Sequence, residues 1–239
     1  MRQNNYFITL FKALFFSMII VTTSSARAEL KVVTTIKPLY SLIANVMDGV
    51  GEPSLIIEGS TSPHSFTLKP SHAKLLEEAD LIFWVGEGIE TFMEGPLESI
   101  AKNAEVVEFM EVESIEKLKF REESIFGDHD DHDDHDDHDD HDDHDDHAGH
   151  EGHNHGEFDA HIWLDPSNAK EMVHEIAHEL GDLDPANKDK YEANAEATIK
   201  ALDQLISDVG TDINSDAKFV VFHDAYQYFE ERFGVRAAG

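Results

Sequence analysis

Apolar positions in this chain follow two alternating spacings. "LKVVTTIKP" (30–38) is a short apolar run closed by a proline, which reads as a buried strand. In "LYSLIANVMDGVG" the residues Leu39, Leu42, Ile43, Val46 and Met47 recur at the interval of one helix face, and Gly49 and Gly51 close the helix. "SLII" (54–57) reads as a second strand, followed by the polar loop "EGSTSPHSFTLKPSH". Ser71 is placed as the N-cap of a helix over "SHAKLLEEA". "DLIFWVG" (80–86) is a fully apolar strand, "EGIETFMEGPLESIAKN" is helical in pieces broken at Pro96, and "AEVVEF" is one more short strand. Strands alternating with helices at this spacing predict an α/β fold with a mostly parallel sheet.

The pattern disappears from about residue 122 to 157 and then resumes. "AHIWL" reads as a short strand at 160–164, followed by an Asp-Pro-Ser helix start and a helix of some four turns that ends at Gly181. Residues 185–213 have almost no helix breakers and predict one long helix, with Leu202, Leu205, Ile206 and Val209 on an apolar stripe. "AKFVVFHDAYQYFEERFG" predicts a buried strand, a turn at His223-Asp224 and a helix start. One strand and one helix are too little for a domain, so the expectation is a second lobe that is incomplete in this sequence.

Composition sharpens this picture. The 239 residues are 41% hydrophobic, enough for a real core, and carry a formal charge of −32. Residues 128–147 hold 13 Asp and 7 His and nothing else, and the remainder is still acidic. Phosphate binding needs clustered Lys and Arg, so a nucleic-acid partner is excluded and a cationic one fits. Arg2 and Lys12, the apolar run "ALFFSMIIV" (13–21) and small residues at Ala26 and Ala28 have the layout of a secretory signal peptide over 1–28, cleaved after Ala28. The competing reading, a membrane anchor, would need a longer apolar core. There is no cysteine, so any metal site must be built from His, Asp and Glu.

Three histidines stand where ligands gather in open α/β sheets: His64 in the loop after strand 54–57, His161 at the head of "HIWLD", and His223 after "FVVF". Three neutral imidazoles that converged would hold Zn²⁺ and leave one position open. Each alone is more often a hydrogen-bonded structural residue, and spacing does not prove convergence. A second pattern competes. "HEIAHELGDLD" (174–184) matches a zinc-protease motif, with His174, His178 and Asp184 as ligands and Glu175 as base. The helical wheel argues against it: Val173, Ile176, Ala177 and Leu180 form the buried face, which leaves His174 and His178 on its solvent flank and Glu175 pointing outward. Tyr40, Trp163, Tyr226, Tyr228 and Phe229 are read as core or cleft wall.

"TSPHSFTLKPS", "DLIFWVGEGIETFM", a His/Asp-rich loop, "DAHIWLDP" and "FVVFHDAYQYFEERFG" occur in an order that resembles the zinc-binding subunits of bacterial ABC importers, the metal-binding class of periplasmic solute-binding proteins. The resemblance spans residues 30 to 235. It implies two α/β lobes joined by one long helix, with metal in the cleft between them. The division would be an N-terminal lobe at 29–184 that includes the loop 122–157, a linking helix at 185–213, and the start of a C-terminal lobe at 214–239. It implies His64, His161 and His223 as Zn²⁺ ligands, with no catalysis. The partner would be an inner-membrane ABC permease and the binding protein a periplasmic monomer. Manganese-binding relatives typically carry a carboxylate where His223 stands, so this histidine favours zinc. Some zinc members carry Glu before the first histidine; Pro63 stands there instead, which leaves the fourth ligand open.

Within that family setting the His-Asp-Asp run gains a role. Like charges repel and nothing apolar can be buried, so the segment is expected to be disordered. His129, His132, His135, His138, His141, His144, His147, His150, His153 and His155 would offer many weak zinc sites close to the cleft, as a scavenging or sensing segment. The alternative is an inert solvated spacer.

Overall fold

A computed structural model describes residues 29–121 and 157–238. The leader at 1–28 and the His/Asp run, with all ten of its histidines, lie outside the described residues. The sheet is parallel and four-stranded, in the order β2-β1-β3-β4: β1 (Val32–Thr34), β2 (Ser54–Leu55), β3 (Leu81–Trp84) and β4 (Glu105–Glu108). Val33 lies opposite Ile82, and Ile82 opposite Val106. All of β1 and β3 is buried, because covered parallel strands bury both faces.

Helix α1 (Lys37–Val46) carries Pro38 in its first turn, where a missing N–H costs nothing. It packs Leu39, Ile43 and Val46 onto the sheet with none of their surface exposed, about 2 kcal/mol each. Helix α2 (Pro70–Glu78) begins one residue before Ser71, so Ser71 is not its cap. Pro70 takes the first helical position, and the Lys69 N–H donates to His72 Nδ1 at 3.2 Å. Pro96 does not break a helix. It sits in the first turn of α3 (Glu94–Ser99), where the ring is tolerated.

Helix α4 (Pro166–Leu183) buries Met172, Val173, Ile176, Ala177 and Leu180, the face read from the sequence. It does not end at Gly181 but runs through it to a cap at Asp184, and the missing side chain leaves room for Lys188. A Cβ at Gly181 would meet Lys188 Cγ at 3.0 Å. Helix α5 (Lys188–Asp212) returns alongside α4 and buries Tyr191 and Ala195. Asn194 Nδ2 ties it to the end of α1 through Val46 O at 2.8 Å and Asp48 O at 2.9 Å. Past Leu202 it emerges into solvent, and Leu205 of the expected stripe is 46% exposed. Helix α6 (Gln227–Phe233) ends at Gly234 in the left-handed conformation.

Two strand readings are corrected. "HIWL" forms a 3-10 turn (Ile162–Leu164), not a strand. The Asp159 carboxylate captures the His161 N–H at 2.9 Å and Asn168 Nδ2 takes the Ile162 carbonyl at 3.2 Å, so these groups are diverted from any strand ladder. "FVVF" is not a buried strand. Its ladder contact among the described residues is one bridge from Phe219 to Ala237, and Val220 and Phe222 are 77% and 95% exposed. Apolar composition alone does not bury a strand without a neighbour to pair with.

Candidate metal centre

His64, His161 and His223 converge. One nitrogen from each lies within 4.8 Å of the other two, and this is the one set of three or more His, Asp or Glu so gathered among the described residues. The ring centroids are 5.8 Å apart for His64 and His161, 5.5 Å for His64 and His223, and 5.1 Å for His161 and His223. His161 Nε2 and His223 Nε2 are 3.3 Å apart. Zn–N bonds of about 2.05 Å in a tetrahedron place ligand nitrogens about 3.3 Å from one another, so this pair already has the required separation.

Each histidine is positioned differently, and only His64 follows a sheet strand. It sits in a one-turn 3-10 segment (Pro63–Ser65) whose entry is set by Pro63. His161 is the most constrained, at 8% exposed. Asp159 Oδ1 accepts from its backbone N–H at 2.9 Å and pairs with its Nδ1 at 2.7 Å. A carboxylate at that distance holds the ring proton on Nδ1 and leaves the Nε2 lone pair facing the other imidazoles. Asp159 is itself 2% exposed and anchored at both backbone ends. Its N–H donates to Leu118 O at 2.8 Å, and its carbonyl accepts from Tyr228 OH at 2.6 Å. Gly88 passes directly beneath this segment; a Cβ there would meet the Ala160 Cβ at 2.9 Å.

His223 is the exposed member of the three. Burial of its ring, and then the neighbouring His161, hold its pKa below the usual imidazole value, which favours the neutral imidazole. The segment that carries it is fastened by charge. Arg121 reaches Asp224 at 3.2 Å and Glu230 at 2.9 Å, and Arg232 clamps Asp165 with two bonds of 2.7 and 2.6 Å. Tyr228, read from sequence as core or cleft wall, is buried but also accepts from the Leu118 N–H at 2.9 Å; burial pushes its hydroxyl up to about 12. Trp163 is partly buried, with its ring 5.3 Å from that of His161.

Sequence reasoning missed Asp159, Arg121 and Arg232, and placed Asp165 only as a helix start, without its ion pair to Arg232. An Asp two residues before His161 in "DAH" was the available signal for the first. Nothing local marks the two arginines. The protease pattern does not assemble. His174 and His178 are exposed, and Asp184 turns into the core, where Asn187 Nδ2 and Tyr191 OH bind it at 2.6 and 3.2 Å. Glu175 is half-buried instead of fully outward.

A parallel α/β sheet with three imidazoles gathered beside it is an α/β fold carrying a candidate metal centre. The family model for the periplasmic component A of the zinc-uptake complex, ZnuA, matches residues 32–239, and the chain belongs to that family. It is similar to the high-affinity zinc uptake system protein ZnuA of Brucella abortus (strain 2308), 49% identical over 220 residues that cover 87% of this chain and 66% of the relative. The Yersinia pestis protein of the same name is 32% identical over 230 residues, covering 95% of this chain and 70% of that one. Among solved structures, the Zn(II)-bound ZnuA-like domain of Streptococcus pneumoniae AdcA superposes with a TM-score of 0.63 at 23% identity. That match covers 87% of this chain and 66% of that one. This chain therefore spans just under two thirds of the Brucella relative's length.

Proposed function

We propose that this protein captures Zn²⁺ in the periplasm through His64, His161 and His223 and delivers it to an ABC-type permease of the inner membrane. The observation that carries the reading is the convergence of three imidazole nitrogens, one pair already 3.3 Å apart. A set of three neutral nitrogen donors suits a borderline cation such as zinc better than manganese, which prefers oxygen. The names of the Brucella and Yersinia relatives support zinc as the cargo. Capture releases any protons held on the imidazoles, so affinity falls as pH drops. The protein works as a monomer, without covalent chemistry, after export and cleavage behind Ala28. Its two α/β lobes, hinged on the helix at 185–213, close on the cation and open at the permease. The run with His129 to His155 acts as an accessory collector that raises the local zinc concentration.

The test is competitive metal binding by the full exported chain. One tight Zn²⁺ per protein is expected, retained against a Mn²⁺ excess and lost in His161→Ala or His64→Ala. Tight binding that survives both substitutions refutes the assignment.

A further inference from the structure

The hairpin of α4 and α5 carries a second set of metal-ligand side chains. His174 and His178 lie four residues apart on α4, so their imidazoles leave the same stripe of the helix one turn apart. Glu192 and Glu196 have the same spacing on α5. All four line one groove of about 320 Å³ between the two helices. The small residues Ala177 and Ala195 also line it and are buried, which lets the two helices approach closely.

We propose that this groove is a second, weaker site for a borderline divalent cation, held by His174 and His178 from one helix and Glu192 and Glu196 from the other. A His pair at i, i+4 on a helix is a natural chelate for such ions, and two carboxylates across the groove neutralise a 2+ charge. Asp182 adds negative charge beside the pair, with its carboxylate 3.6 Å from His178 Nδ1.

Two features make the site weaker than the centre at His64, His161 and His223. Its donor atoms are not gathered in the observed rotamers, whereas those of the three-histidine set are. All four side chains are exposed, so they can close on an ion, but ordering them costs side-chain entropy. Lys188 also lines the groove and repels a cation, although Asp182 lies 3.5 Å from its Nζ and offsets part of that charge. The inference does not depend on the role of the His/Asp run.

The experiment uses the full chain with one equivalent of Zn²⁺ already bound and follows individual imidazole resonances by NMR as further Zn²⁺ is added. Residue-specific signals separate this groove from the histidines at 129–155. The His174 and His178 signals are expected to shift together along one saturation curve. His174→Ala should weaken the response of His178, because one imidazole then stands in place of a chelating pair. The double variant Glu192→Gln/Glu196→Gln should weaken both responses, and Lys188→Met should tighten them. Unmoved His174 and His178 signals, or shifts indifferent to both the glutamine pair and Lys188→Met, would overturn the proposal.

Discussion

Asp159 makes no direct claim on a cation, yet its replacement should cost most of the advantage of a preformed centre. The carboxylate does two jobs with one oxygen: it accepts the His161 backbone N–H at 2.9 Å and holds Nδ1 at 2.7 Å. In Asp159→Asn the amide oxygen can still accept both bonds, but the negative charge that raises the basicity of the imidazole is gone. Loss of such a partner typically weakens metal binding by about 10- to 100-fold, or about 1.4 to 2.7 kcal/mol. Asn should fall near the lower end. Asp159→Ala should reach the upper end, because His161 is buried and its N–H then has no acceptor, which also lowers folding stability by about 1–3 kcal/mol. The assay is competition for Zn²⁺ against a tight chromophoric chelator, which ignores weak sites, alongside urea unfolding of the metal-free protein. The informative signature is a loss of affinity in Asn with little loss of stability. Unchanged affinity in both variants would refute the claim that Asp159 orients His161.

Three further outcomes are expected. Burial pushes the Glu90 carboxyl up to about 7 although Thr35, Val85 and Gly86 donate to it, so the folded state prefers it protonated. Its folded pKa lies above its unfolded value, so stability is full below about 4.5 and lost as pH rises to 7, by about 3 kcal/mol. Glu108 and Glu179, also pushed up to about 7 but partly exposed, add a smaller slope of the same sign, so urea midpoints from pH 5 to 8 should fall in the native chain and flatten markedly in Glu90→Gln. Arg232→Ala leaves Asp165, 4% exposed and already capping α4 through the Ser167 N–H at 2.8 Å, without its charge partner. The partly exposed pair should cost about 1–3 kcal/mol in urea unfolding, and zinc should dissociate faster as the His223 segment loosens; equal dissociation rates would argue against a fastening role. Deleting 128–155 should remove weak zinc sites from calorimetric titrations while leaving one tight site, and losing the tight site as well would refute the accessory role.

How much of this was legible in the sequence depends on the range over which each signal acts. The strands at 32–34 and 81–84, the first helix and the buried face of α4 follow from apolar spacing within a window of a few turns, and all are present. The two strands misread from apolar composition, "HIWL" and "FVVF", were decided by partners outside any such window. In the first, Asp159 and Asn168 divert backbone groups; in the second, pairing among the described residues reduces to a single bridge at Phe219. The protease pattern at 174–184 was correctly set aside on helical geometry, since side chains four residues apart are related by the helix itself.

Residue types and motif order mark His64, His161 and His223 in the sequence itself, together with the α/β character of the chain. Whether those rings meet is a different kind of fact. His161 and His223 are 62 positions apart, and loops, helix packing and the ion pairs of Arg121 and Arg232 fix their separation, none of which leaves a periodic trace. The chemistry of an imidazole is carried by the residue alone. Three nitrogens close enough to share one cation are a property of the folded chain, because only packing can hold distant segments against the entropy that separates them.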